Sequence, residues 1–246
     1  MTLFNFELYK SSDLVIGCDE VGVGEYFTNL TVSCAAFVEN EVEKVLLAQI
    51  VDSKLLTEKK IADLFQLLKP KITFEFLVLE MEEYNNLIKK GLNSHEIKSL
   101  LYFKILSKIV KNFDGKTINK IFIDGFVSEA KFLQYLEKIA NFANFSPWNL
   151  EKYPLILEKK ADTKIKQVAA ASIIAKFALS QKFAQRQAKW QAIFPAGSNQ
   201  ITKIVDFCVM QINKHGEVFL EKNVKMHFSI TNKIYAKLVE LRSKNG

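Results

Sequence analysis

The stretch whose reading decides the fold is "VIGCDEVGVGEYF", residues 15–27. Val15, Ile16 and Cys18 belong to an apolar run of the kind that enters a core as a β-strand. The run ends on two adjacent carboxylates, Asp19 and Glu20, and then on Gly22 and Gly24 flanking Val23. Neighbours on a strand point to opposite faces. For both acids to serve one site the twist has to change there, and Gly22 and Gly24 are the residues able to supply that change.

Two further apolar segments run into acids. "IFIDGF" ends on Asp124 before a glycine, and "LILEKKAD" leads to Asp162 ahead of an Ala-rich stretch. Each acid alone has an ordinary structural explanation, as a turn residue or a helix cap. Together they sit where strand ends meet helix starts, the place where α/β sheets bind ligands. Carboxylates gathered there repel one another and lose hydration unless a cation neutralises them. An oxygen-only donor set points to a hard divalent ion, Mg²⁺ or Mn²⁺, and such sites hydrolyse phosphodiesters without an organic cofactor.

Outward from these segments, strands are expected at residues 15–19, 30–38 and 72–79. A helical stretch over 81–112, broken at Gly91, precedes a strand ending at Asp124. A helix over 128–143, a strand near 154–157 and a long helix over 164–190 follow, with closing helices at 201–214 and 229–241. Early strands followed by β–α alternation imply an α/β fold, a mixed sheet with helices packed on it. No repeat, low-complexity linker or Pro/Gly-rich hinge divides the chain. One domain over residues 14–246 is expected, after a short lead of residues 1–13.

With 49% apolar residues in 246, the chain can bury a substantial core. No apolar run is long enough for a membrane span, and the N-terminus lacks the basic-then-apolar order of a secretory signal, so a cytoplasmic protein without membrane association is expected. Cys18, Cys34 and Cys208 are too few for a disulfide framework or a zinc site, and free buried thiols are expected. Residues 151–246 hold 17 Lys/Arg against 7 Asp/Glu, whereas residues 1–150 hold 17 against 20. The basic surface therefore belongs to the C-terminal part and suits a polyanion such as nucleic acid. A Lys-rich solvated surface is the plain alternative.

The motifs together resemble those of a type 2 ribonuclease H, most closely a bacterial ribonuclease HIII. "GCDEVGVGEYF" is similar to that family's opening strand and turn, "VDSKLLTEKK" to its D-S-K motif, "IDGF" to the strand of its third acid, and "KKAD" with "VAAASIIAKFA" to its fourth segment. "EYNNL" with "GLNSHEIKSLL", "FPAGSN" leading to "VD", and "HGEVFLEKNVKMHF" with "TNK" favour HIII over its sister HII. The resemblance implies a ribonuclease H-like five-stranded mixed sheet, its first three strands antiparallel, flanked by helices, with a helical C-terminal extension. It implies that Asp19, Glu20, Asp124 and Asp162 are the catalytic acids and bind Mg²⁺ or Mn²⁺. Lys54 would contact a substrate phosphate, and the turn of Gly22, Val23 and Gly24 would lie along the RNA strand where 2′-hydroxyls are read. Ser172 and Lys176 read first as helix packing and second as support for substrate binding. His227 stands level between a structural role and one near substrate. The substrate implied is an RNA:DNA hybrid, cut by a monomer to leave 5′-phosphate and 3′-hydroxyl ends.

The chain departs from the family pattern in four ways. Only residues 1–13 precede the catalytic segment where HIII proteins carry a substrate-binding domain, so grip on the hybrid is expected from the catalytic domain itself. Thr28 and Asn29 stand where Gly-Pro is usual, so the local backbone is expected to differ. Asp162 stands where HIII commonly has Glu, leaving Glu129 as a substitute ligand to weigh against an exposed first-turn acid. Val23 replaces the Arg of HII, favouring cleavage within RNA stretches over cleavage at single embedded ribonucleotides. The alternatives are HII-like cleavage of that kind, a non-catalytic hybrid-binding protein of the same fold, or an acyl or sugar hydrolase with paired carboxylates. The last fits poorly, since Trp148 and Trp190 lie outside the acid-bearing segments. His95 and His215 are expected at helix ends, without chemistry.

Overall fold

The computed structural model describes residues 9–143, 153–197 and 200–244. They group into two compact units, one within Met1–Val21, Thr31–Leu77 and His95–Ser180, the other within Gly22–Leu30, Val78–Ser94 and Gln181–Gly246. The first eight residues of the N-terminal lead, Trp148 and the last two residues of "FPAGSN" lie outside the described residues.

The first unit is built on a five-stranded sheet in the order β3-β2-β1-β4-β5. Its strands are β1 (Val15–Val21), β2 (Thr31–Phe37), β3 (Thr73–Val78), β4 (Lys120–Asp124) and β5 (Leu155–Glu158). β1 pairs antiparallel with β2, from Val15 opposite Phe37 to Val21 opposite Thr31. It pairs parallel with β4, which pairs parallel with β5, giving the expected mixed sheet. β1 occupies the middle, and its residues from Val15 to Asp19 are all buried, as befits a strand covered on both faces. Cys18 and Cys34 stand opposite each other in this register, Cα atoms 4.2 Å apart, and form a cross-strand disulfide. That corrects the expectation of free thiols, which holds only for the buried Cys208. Scattered spacing conceals a pairing that strand register creates.

The helices of this unit follow from local chemistry. α1 (Lys44–Gln49) and α2 (Glu58–Leu68) fall where the sequence reading places no element, although α2 carries a plain start signal. The Thr57 hydroxyl caps it by accepting from the Lys60 N–H at 3.2 Å, and Ile61, Leu64, Phe65 and Leu68 make one buried face at helical spacing. The expected helical stretch over 81–112 divides into α3 (Met81–Lys89) and α4 (Ser94–Ile109), interrupted by Gly91, whose φ is +91°. α5 (Glu129–Ala143) begins on an exposed Glu129.

The long helix α6 (Lys166–Trp190) lies against the sheet because both partners are small. A Cβ on Gly17 would come 2.2 Å from the Val168 backbone nitrogen, so only glycine there permits this approach. Ala169, Ala170 and Ala171 are buried with Ala35 and Phe37 of β2 and with the apolar face of α2. The Ser33 hydroxyl donates to the Ala171 carbonyl, and the Gln167 amide donates to the Phe37 carbonyl at 3.0 Å.

The second unit contains α3, α7 (Ile201–His215), α8 (Val218–Asn223), α9 (Ser229–Lys244) and residues 181–190 at the end of α6. Tyr26, Phe27, Phe194, Phe219 and the apolar faces of α7, α8 and α9 form its core. Arg186 is buried inside it, donating to the Phe27 carbonyl at 2.7 Å, the Asn29 side-chain oxygen at 2.6 Å and the Asn223 carbonyl at 2.6 Å. Burial pulls its pKa down to about 10. Among the described residues, no helix is long and apolar enough to cross a membrane.

Candidate active site

The four acids belong to the first unit and arrive on its elements as the sequence implies. Asp19 and Glu20 lie near the end of β1, and Asp124 is the last residue of β4 beside it. Asp162 occupies a 3₁₀ turn, Ala161–Thr163, between β5 and α6. Lys160 enters that turn in the left-handed conformation, φ 55°. The Ala161 N–H donates to Asp124 Oδ1 at 2.8 Å, which ties the third acid to the turn of the fourth.

The strand does not change twist between the first two acids. β1 stays paired through Asp19, Glu20 and Val21, and the left-handed step comes only at Gly22, φ 77°. Asp19 and Glu20 therefore face opposite sides of the sheet. Asp19 faces α6, where Ser172 hydrogen-bonds its carboxylate, and its Oδ1 also accepts the Glu20 N–H at 2.8 Å. Glu20 faces α4. Its Oε1 lies 2.8 Å from Lys98 Nζ, and its Oε2 accepts from the Tyr102 hydroxyl. Lys98 is buried, its ammonium 3.8 Å from the centre of the Phe126 ring.

The carboxylates nonetheless act on one another. Burial lifts the Asp19 pKa well above the ordinary range, and the charges of Glu20 and Asp124 push it further, against the bonds from Ser172 and the Glu20 amide. Burial likewise raises Asp124, with Asp162 and Glu20 adding to the effect and the Ala161 amide and Lys54 opposing it. Tyr102 is pushed far up by burial and by Glu20 and Asp19, so it stays a neutral donor. Among the described residues no three His, Cys, Asp or Glu side chains are drawn together closely enough to hold an ion unaided. The acids fit a hard divalent cation by chemistry: all donors are carboxylate oxygen, and the mutual repulsion that helps raise Asp19 and Asp124 is one a dication would relieve.

The D-S-K segment closes the other side. Asp52 caps the short turn Ser53–Leu55 through the Lys54 N–H, at 2.9 Å. Ser172 Oγ meets Ser53 Oγ at 2.8 Å, and Lys176 Nζ donates to the Ser53 carbonyl at 2.9 Å. Ser172 and Lys176 thus pin the loop that carries Lys54. The Lys54 side chain is largely exposed, yet its Nζ lies 3.3 Å from Asp162 Oδ2. Burial lowers its pKa less than Asp162, Asp52 and Asp19 raise it.

In the second unit, Gly22, Val23 and Gly24 form an open turn; nothing lies within 4 Å of where a Gly24 Cβ would be. Thr28, at one of the positions departing from the family pattern, donates to the carbonyls of Gly22 at 3.3 Å and Glu25 at 3.4 Å. Asn29 at the other donates to the Leu79 carbonyl at 2.7 Å. His227 is exposed to solvent on one side and packs its ring on Tyr84 and Phe228; this partial desolvation, and then Lys225, lower its pKa. His95 and His215 stand at helix ends, against Phe126 and Trp190 respectively. Lys98 and Tyr102 on α4, and Lys225 in the loop between α8 and α9, carry no local signal, since a lysine ordinarily marks solvent and a helical tyrosine ordinary packing.

Comparison with known proteins gives a consistent result. The family model described as Ribonuclease HII matches residues 16–231. Curated relatives named Ribonuclease HIII include those of Ureaplasma parvum, 31% identical over 91% of this chain and 67% of the relative, and Streptococcus gordonii, 34% identical over 89% and 70%. The chain thus spans about two thirds of the length of the curated relatives it matches. A crystal structure of Bst-RNase HIII in complex with Mn²⁺ superposes with a TM-score of 0.79 at 26% identity, covering 92% of this chain and 70% of that one. A crystal structure of a mutant of the same Bst-RNase HIII gives 0.81 at 27%, with the same coverage.

Proposed function

The chain belongs to the ribonuclease HII family, in which it groups with the ribonucleases HIII, and from that premise we propose that it is an endoribonuclease cutting the RNA strand of RNA:DNA hybrids. The observation that carries the reading is the electrostatic union of Asp19, Glu20, Asp124 and Asp162 at adjoining strand ends and turns. These four acids would hold Mg²⁺ or Mn²⁺. When bound, such ions would supply an activated water and stabilisation of the departing oxygen, the chemistry that leaves 5′-phosphate and 3′-hydroxyl ends.

The protein's own groups prepare that chemistry. Lys98 and Tyr102 fix the Glu20 carboxylate in one orientation, and Ser172 does the same for Asp19. Lys54 is exposed enough to exchange its contact with Asp162 for a substrate phosphate. Gly22, Val23 and Gly24 present backbone to the ribose 2′-hydroxyl, and Ser172 and Lys176 act by holding Ser53 in place. The enzyme works as a cytoplasmic monomer, with His227 near the substrate path.

The deciding assay incubates purified protein with labelled RNA:DNA hybrid, with DNA carrying one embedded ribonucleotide, and with double-stranded RNA, each with Mg²⁺, Mn²⁺ or chelator. Hybrid cleavage that needs metal and leaves 5′-phosphates supports the proposal. Metal-independent cleavage, or preferential cutting of double-stranded RNA, would overturn it.

A further inference from the structure

Three segments of sequence with no role in the acid cluster meet inside the second unit. Lys225, from "EKNVKMHF", is fully buried, and its Nζ donates to the carbonyls of Gly22, of Val23 at 3.0 Å and of Glu25 at 2.8 Å. Its backbone N–H donates to the Tyr26 carbonyl at 3.0 Å. Asn85, from "EYNNL", brackets it on both sides: Nδ2 donates to the Val224 carbonyl at 2.9 Å, and Oδ1 accepts the Met226 N–H at 3.0 Å. The rings of Tyr84 and Phe228 each centre 5.7 Å from the ammonium.

The match of donors to acceptors is one to one. A lysine ammonium has three N–H groups and no acceptor, and three carbonyls converge on it. A neutral amine has only two donors; the Thr28 hydroxyl also reaches the Gly22 and Glu25 carbonyls, so the Val23 carbonyl is the one that depends on the ammonium. In a trans peptide the N–H points away from its own carbonyl. With the Gly22 carbonyl drawn inward, the N–H of Val23 is turned to the opposite side. A backbone N–H presented this way is a donor suited to an oxygen-rich ligand.

We infer that Lys225 is a positioning residue which sets the turn at Gly22, Val23 and Gly24 in its substrate-reading conformation, and that Asn85 in turn positions Lys225. This rests on the proposed action on RNA:DNA hybrids and assigns the specificity of that same site to an interior clamp. Lys225 itself touches neither metal nor scissile bond. Its effect therefore falls on substrate affinity, through the ribose-bearing strand, and not on the chemical step.

The charged and titratable groups around Lys225 are Glu25, Arg186, His227 and Tyr84. Burial drives its pKa down to about 7, with Glu25 opposing and Arg186 reinforcing the fall. Loss of the third donor is therefore expected as pH rises from neutral into the alkaline range, with the three carbonyls opposing it. His227 titrates below its ordinary value and is separated by working above pH 7.

The test uses the full chain, its Lys225→Met variant and ¹⁵N-glycine labelling, which confines the amide spectrum to nine residues. Lys225→Met is expected to raise KM for a hybrid by about tenfold or more with kcat within about twofold. In the parent, the Gly22 and Gly24 amide resonances shift together between pH 7 and 9; in folded Lys225→Met they do not. An unchanged KM in a folded variant, or a fall confined to kcat, overturns the inference. If the variant does not fold, the parent's spectrum decides: Gly22 and Gly24 resonances that stay fixed over that range overturn it. A parent that leaves hybrids uncut sinks the proposed activity instead, while the glycine resonances still report on the clamp.

Discussion

Lys98 Nζ lies 2.8 Å from Glu20 Oε1 on the sheet face opposite Asp19, so one acid of the cluster carries an internal counter-ion that, among the described residues, its neighbour lacks. Both partners are well buried, with side-chain exposures of 3% and 12%. Such a pair contributes little net stability when intact, but removal of one partner leaves the other charge uncompensated.

Lys98→Met should therefore destabilise the metal-free protein by about 3 kcal/mol. Mn²⁺, by binding the folded form, should restore part of that loss and raise the variant's melting temperature more than the parent's. Denaturant melts with and without Mn²⁺ check this. Equal metal-induced shifts in the two proteins would mean Lys98 does not share the site's charge balance.

Asp124→Asn separates stability from activity. The Asp124 pKa is raised in the folded state, so the protein loses stability as pH climbs through the unfolded value near 3.8 toward the folded one. An uncharged amide removes that cost at neutral pH. The variant should melt at or above the parent's temperature without metal, while hybrid cleavage falls at least about a hundredfold. A variant that cuts at the parent's rate would remove Asp124 from the chemistry.

For Lys225 the sign is opposite to that of the acids. Its folded pKa of about 7 lies below the 10.5 of an unperturbed lysine, so between those values the unfolded chain binds more protons and stability rises with pH. The stability difference, parent minus Lys225→Met, should widen by up to about 1.4 kcal/mol per pH unit from pH 7 to 9. Urea titrations at three pH values measure it. Hybrid affinity should weaken over the same range, a divergence that a purely structural lysine would not produce.

Gly17→Ala tests the seat of α6. The added methyl would meet the Val168 nitrogen at 2.2 Å and the Gln167 carbonyl carbon at 2.3 Å, both backbone. Rigid backbone cannot swing aside, so the helix must lift from the strand, at about 3 kcal/mol or more. Equilibrium unfolding reads the loss; wild-type stability would show that the contact relaxes freely.

Much of the architecture was legible because it is written in local periodicity. β1, β2, β4 and the later helices follow from apolar runs and helical spacing, and the alanines of α6 announce close packing. α2 was legible too, through Thr57 and the spacing of Ile61, Leu64, Phe65 and Leu68. The four acids were legible as types and as strand-end positions. The twist expected at the two acids falls instead at Gly22, because the ladder to β2 continues to Val21, which residue type alone does not say. The same ladder pairs Cys18 with Cys34.

By itself, then, the sequence determined the layered α/β plan, the oxygen-only character of the acidic site and the order in which its members arrive. Each of these depends on residues close together in the chain. Only the tertiary structure decided which charges answer them: Lys98 reaches Glu20 across 78 positions, and Lys225 reaches Gly22 across 203. Burial and Coulombic balance are set by neighbours in space, and a lysine reads as a solvated residue until the fold closes over it.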